Sequence, residues 1–200
     1  MLQELSEHGI AIDKVLFSHF HPDHISGLPA LNSPSLYGNP KYQISLKQYL
    51  PLEKHHYFDG LTPLENDQQF NFGSFSLQVK HVQGHVICGM FTVINDKYIH
   101  VADDIMTSNH GEALLPSANK KHVLEHIASL ELLKNYTSYT LLLSHGNALS
   151  GEQTILTAIN NRQKYLQAVA KSETNITIEQ ALKGNEQGFL HQEWHDYVYL

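Results

Sequence analysis

Residues 18–24 read Ser18-His19-Phe20-His21-Pro22-Asp23-His24, three histidines and an aspartate inside six residues. The apolar run Val15-Leu16-Phe17 before them predicts the end of a buried strand over Ile12–Phe17, and Ile25-Ser26-Gly27-Leu28 after them predicts the start of a helix. On extended backbone, side chains two apart project to one side, so His19 and His21 can address a single ion. Asp23 and His24 follow the turn at Pro22, point elsewhere, and suit a second ion nearby. The reading is one cluster for two metals.

Downstream, strand after strand ends in a further ligand type. Leu36–Gly38 reads as a short strand, Pro40–Leu50 as a helix opened by proline, and residues 54–60 as a loop turning at Asp59-Gly60. Phe70, Phe72, Phe75, Leu77 and Val79 alternate with a break at Gly73-Ser74, which predicts a hairpin whose second strand runs out into His85. Met90–Ile94 and Tyr98–Ala102, joined at Asn95-Asp96, predict another hairpin that delivers Asp103-Asp104. Helical spacing from Val123 to Leu133, with Ser117 or Asn119 as cap, precedes the apolar strand Thr140–Leu143, expected to be buried on both faces and ending in His145. Gly151–Lys171 reads as a long helix, and Thr177-Ile178-Glu179-Gln180 as a capping box for a short last one.

Two hundred residues with 42% apolar content suit one domain with its own core, here residues 1–200 with the metal site in 19–145 and a helical segment in 151–200. The net charge of −7, with only 13 Lys and Arg, lacks the basic stripe of a nucleic-acid binder and suits bound cations. No apolar run reaches membrane-span length. The single cysteine, Cys88, excludes an internal disulfide and sets a reduced, cytoplasmic setting as the expectation. Histidine and carboxylate ligands without paired cysteines suit catalytic zinc, manganese or iron rather than structural zinc.

His19-Phe20-His21-Pro22-Asp23-His24 matches the His-x-His-x-Asp-His signature of the metallo-β-lactamase superfamily, and the chain resembles that family further at Gln83-Gly84-His85, Val101-Ala102-Asp103 and Ser144-His145-Gly146, in the family's order. The resemblance spans residues 12 to 170. It implies an α/β fold, the four-layer αβ/βα sandwich, with the site at one edge between two sheets. It also implies that His19, His21 and His85 bind one divalent metal, that Asp23, His24 and His145 bind a second, and that Asp103 bridges them, with Asp104 as the competing carboxylate. Family members carry strands ahead of the histidine cluster; here it begins at residue 19, so an N-terminally shortened first sheet is expected, with an edge that a second copy can pair as a homodimer.

The ligand set resembles that of glyoxalase II and the acyl-homoserine lactonases. The implied function is a dinuclear metal hydrolase of a small ester, lactone or thioester, using a hydroxide held between the metals, with zinc expected and manganese or iron as alternatives. Asp23 is the candidate proton acceptor. A phosphodiesterase or nuclease of the same family, and a truncated inactive metal-binding remnant, are the alternatives. A small-molecule substrate is expected, with no nucleic acid or membrane partner. His81 and His100 are read as neighbours of the site; His55, His56, His110, His122, His126, His191 and His195 are read as surface residues. Trp194, Tyr197 and Tyr199 are expected to pack against the body, and Cys88 to fill space beside the site.

Overall fold

The computed structural model describes residues 2–200 and begins with α1 (Leu2–Glu7) and β1 (Lys14–Leu16). β2 (Ser35–Gly38) pairs parallel to β1 with Val15 opposite Leu36, and β3 (Thr62–Pro63) pairs parallel to β2 with Tyr37 opposite Thr62. Parallel neighbours need crossovers. The first is α2 (Pro22–Ile25) with the 3-10 turn Leu28–Ala30, and the second is α3 (Tyr42–Tyr49) with the 3-10 segment Leu52–Phe58. Phe17, Phe20, Ile25, Leu36, Leu46 and Phe58 form the core between this sheet and its crossovers.

The second sheet runs in the order β4 (Gln69–Phe72), β5 (Phe75–Val82), β6 (Gly89–Ile94), β7 (Tyr98–His100), β8 (Thr140–Leu142). The β4–β5 turn passes through Gly73 at φ +57, and the β6–β7 turn through Asn95 and Asp96, both at positive φ, as a tight hairpin requires. α4 (Val123–Leu133) carries the chain from β7 to the parallel β8, and α5 (Glu152–Lys171) packs beside it.

Alternation along β6 makes the sandwich. Phe91 and Val93 join Ile99, Leu130, Leu141, Ile159 and Leu166 in the core under α4 and α5. Met90 points to the other face, where it packs with Val79 and Leu64 against Leu16, Tyr37 and Phe70 of the first sheet. The Met90 N–H also donates to the Ser18 carbonyl at 2.8 Å, tying the sheets together beside the histidine cluster. The layers are therefore helix, three-stranded sheet, five-stranded sheet, helix.

After α5 come α6 (Ile178–Ala181), with the reciprocal Thr177–Gln180 capping box, and a 3-10 turn at Gln192–Tyr197. Backbone bonds from Leu190 to Ala113, Leu115 to Leu190 and Lys120 to Val198 lay this last segment beside the loop that follows β7. Among the described residues no helix is long and apolar enough to cross a membrane.

Several local expectations are corrected. The helix after the cluster starts at Pro22, not Ile25, because proline's fixed φ suits the first helical position. Residues 54–58 are 3-10 helix rather than loop, with His55 Nε2 bonding the carbonyls of Leu46 and Leu50. β8 lies at the sheet edge, with only Leu141 fully buried, and Leu149 bridges it from outside. His126 and His195 are buried, not surface: His195 bonds the Tyr165 hydroxyl at 2.9 Å and the Ile176 carbonyl at 2.7 Å.

Candidate metal centre

Each side chain in the centre is aimed by a local feature. His21 has extended backbone (φ −71, ψ 153), as a residue before proline must, so it leaves in a different direction from Asp23 and His24, which sit in the helical turn that follows. His85 lies in the loop that leaves β5. Asp103 follows β7 after Ala102, whose φ of +48 is uncommon for any residue but glycine and turns the chain sharply out of the strand. His145 follows β8, and its carbonyl accepts from the Thr107 N–H at 3.1 Å.

The hub is Asp103 Oδ2. It lies 3.7 Å from Nε2 of both His19 and His85, 3.3 Å from that of His24 and 3.4 Å from that of His145. Asp23 Oδ2 stands 3.2 Å from His24 Nε2 and 3.3 Å from His145 Nε2, and His85 Nε2 is 2.8 Å from His21 Nδ1. The seven residues expected from the sequence thus form two groups, His19, His21, His85, Asp103 and Asp23, His24, Asp103, His145, each with its ligand atoms within 4.8 Å of one another. Asp103 belongs to both. Asp104 belongs to neither: its carboxylate turns inward and receives the Ser129 hydroxyl.

The donors fit divalent cations. His19 Nε2 and Asp103 Oδ1 are buried with no hydrogen-bond partner in the chain, so both offer free lone pairs where water is excluded. Burial, helped by the charge of His85, lowers the His19 pKa to about 2; the same two causes lower that of His21 to about 4. Both rings are therefore neutral, the form that ligates. His85 is likewise lowered, chiefly by burial, and its Nδ1 meets the Ser117 carbonyl at 3.1 Å. A carbonyl only accepts, so the proton sits on Nδ1 and Nε2 faces the centre unprotonated. Burial alone would raise Asp103, but the His24 hydrogen bond and the surrounding histidines hold it well below the usual carboxylate range. Burial lowers His24, yet the hydrogen bonds and charges of Asp103 and Asp23 together outweigh that and leave it raised.

His19 is fully buried, while the side chains of Asp23 and His145 are 58% and 40% exposed, so the centre opens on their side. There a cavity of about 540 Å³ lies over it. Three of its lining residues were given no part in the site by the sequence. His191 is exposed and Trp194 packs against the main core, as expected, and with Tyr197 they also line this space. Tyr199 does pack against the main core, Cys88 is a buried filler bonded to Ser45 Oγ at 2.9 Å, and Asn147 donates to the Asn109 carbonyl. Behind the site, Asp104, Ser129 and His126 surround Gly84, a buried polar group unforeseen from the sequence.

A family model described as a Beta-lactamase superfamily domain matches residues 3–90. The chain is similar to the lactamase-like protein vrtG of Penicillium aethiopicum, 25% identical over 133 residues, covering 65% of this chain and 37% of that protein. It is also similar to a hydroxyacylglutathione hydrolase of Psychromonas ingrahamii, 25% identical over 154 residues, covering 72% of this chain and 56% of that one. The chain thus spans well under two thirds of either curated relative. Among solved structures, a β-lactamase domain protein from Burkholderia ambifaria superposes with a TM-score of 0.64 at 16% identity, over 91% of this chain and 67% of that one. Family model over residues 3–90, four-layer fold and ligand signature agree: in all three the chain is similar to the metallo-β-lactamase superfamily.

Proposed function

We propose that this chain is a dinuclear metal-dependent hydrolase of a small ester, lactone or thioester. The reading is carried by Asp103 Oδ2, one oxygen within 3.3–3.7 Å of four histidine Nε2 atoms and common to both ligand groups. In this reading His19, His21 and His85 would hold one ion and Asp23, His24 and His145 the other, with Asp103 available to both. The nitrogen and carboxylate donors suit zinc, with manganese or iron as alternatives. Two such ions, when bound, polarise an acyl oxygen and make water acidic enough to attack at neutral pH.

The chain's own residues supply the rest. Substrate enters on the exposed Asp23 and His145 side. Asp23, whose Oδ2 faces His24 and His145, would take a proton from the attacking water at its other carboxylate oxygen and pass it to the leaving group as the bond to the acyl carbon breaks. Buried Asp103 stays ionised throughout, because its histidine neighbours stabilise the charge. The name of the Psychromonas relative, a hydrolase of hydroxyacylglutathione, supports an acyl substrate, and the net charge of −7 disfavours a polynucleotide. The single, buried cysteine supports a reduced cytoplasmic setting.

Elemental analysis combined with a substrate panel tests the proposal. Two equivalents of zinc, manganese or iron per chain are expected, with turnover of a lactone or thioester and none of bis-p-nitrophenyl phosphate. Cleavage of the phosphodiester alone would move the chain to the nuclease branch. A folded chain that takes up no metal would leave only an inactive remnant.

A further inference from the structure

The cavity over the metal centre has a second side of different chemistry. Away from the ligands it is lined chiefly by Met106, Leu114, Ala118, His191, Trp194 and Tyr197, and among the described residues no lysine or arginine reaches it. Trp194 and Tyr197, three apart, lie in the 3-10 turn Gln192–Tyr197, where such residues eclipse, and His191 precedes it as its left-handed cap. They form one aromatic stripe. His191 stacks on Trp194 with ring centroids 4.7 Å apart and planes 8° apart, while its Nδ1 lies 2.9 Å from Glu193 Oε1. Its ring therefore widens the flat surface, and its Nδ1 is already partnered by Glu193. The stripe is pinned to the loop after β7 by the bonds from Leu190, Leu115 and Lys120.

We propose that this stripe, with Met106, Leu114 and Ala118, is the subsite for the non-reacting end of the substrate and selects an uncharged, apolar tail, aromatic ones above all. The inference rests on the hydrolase reading and names its substrate class. A tail bearing carboxylate or phosphate would lose water against Trp194 and Leu114 with no cation to meet it, and would share the cavity with Asp23. An apolar tail gains by burial there, and a flat one gains further by stacking.

The test is a calorimetric titration of the zinc-loaded protein with acetate, glutarate and 4-phenylbutyrate, which offer the metals the same head and differ in the tail. Emission from Trp194, the one tryptophan of the chain, is followed in parallel. Phenylbutyrate is expected to bind at least about tenfold more tightly than the other two and to shift the emission. The ranking is expected to persist without zinc, since the stripe does not depend on the ions. Tyr197 is 63% exposed, so Tyr197→Ala should fold normally and cut the advantage severalfold without changing metal content. Ala118→Lys should raise glutarate affinity. Equal affinities, or a preference for glutarate in the parent protein, would overturn the inference. Ester turnover is scored separately: tail preference without turnover sinks the hydrolase reading alone, and turnover without tail preference sinks the subsite alone.

Discussion

Thr107 occupies the space a side chain at Gly146 would need: a Cβ there would lie 2.0 Å from Thr107 Oγ1 and 2.6 Å from the Thr107 carbonyl oxygen. Gly146 also sits at φ +98, which side-chain-bearing residues rarely adopt. The loop carrying Asp103 and the loop carrying His145 are thus packed backbone to backbone, one residue past a ligand. Gly146→Ala should cost about 2–4 kcal/mol, from strain and overpacking together. It should also lower the occupancy of the ion assigned to Asp23, His24 and His145 more than that of the other. Urea unfolding of the metal-free protein and metal content per chain measure the two effects; a variant unchanged in both would show that the contact has no such role.

The two adjacent aspartates separate a candidate ligand, Asp103, from a support, Asp104. Asp103→Asn should remove the oxygen common to both groups and leave less than one ion per chain after dialysis, with turnover lost. Asp104→Asn keeps a side chain able to accept the Ser129 hydroxyl and should retain both ions. Elemental analysis of the pair decides; loss of metal in Asp104→Asn with retention in Asp103→Asn would reverse the assignment.

What could be read from the sequence depended on how locally each feature is determined. Six of the candidate ligand positions were legible because four lie inside one six-residue stretch and the other two, His85 and His145, follow recognisable strands. Preferring Asp103 to Asp104 rested on the small-then-Asp pattern; in the structure Asp103 lies among the histidines and Asp104 meets Ser129, a difference that spacing alone does not reveal. The burial of His126 did leave a signal, since Val123, His126, Leu130 and Leu133 share three- and four-residue spacing on α4. A histidine in such a stripe reads as polar until the helix is seen packed. The aromatic stripe was invisible for another reason. Successive steps of three stay on one face in a 3-10 turn but drift around an α-helix, and that turn is held by long-range bonds to residues 113–120.

His126 carries the pH dependence of the apoprotein that is easiest to isolate. It is fully buried, both ring nitrogens lack partners, and burial, aided by the charges of His85 and Arg162, lowers its pKa to about 3. The unfolded chain regains a value near 6.5, so between these limits the unfolded state binds the extra proton. Its share of stability is therefore complete above about pH 6.5 and is lost as pH falls towards 3, amounting to about 2 kcal/mol by pH 5. His126→Leu should match or exceed the parent at pH 8, because two unpaired polar atoms leave the core. It should also lose less on acidification. Urea titrations of chelator-treated protein at pH 8 and pH 5 check both statements; an equal loss in the two proteins would exclude His126 as the source.

Arg162 on α5 is the buried cation of this fold, and it meets carbonyls rather than carboxylates. Nη1 donates to the Ala158 carbonyl at 3.0 Å, Nη2 donates to that of Met106, and the guanidinium lies 5.9 Å over the Phe189 ring. Burial lowers its pKa to about 10, so it remains charged at neutral pH. Met106 is three residues past Asp103, and its carbonyl also accepts the Leu114 N–H at 3.1 Å. Losing the guanidinium therefore does not strand that oxygen. What Arg162 chiefly provides is volume between α5 and the Asp103 loop, since desolvating an unpaired cation offsets much of the gain from its bonds. Arg162→Ala should open a cavity and cost about 2–5 kcal/mol, whereas Arg162→Met, which keeps most of the volume, should cost less than about 1.5 kcal/mol. Both variants should retain two ions per chain when folded. If Met proved as damaging as Ala in urea unfolding, the hydrogen bonds to Met106 and Ala158, and not the packing, would be what holds the Asp103 loop.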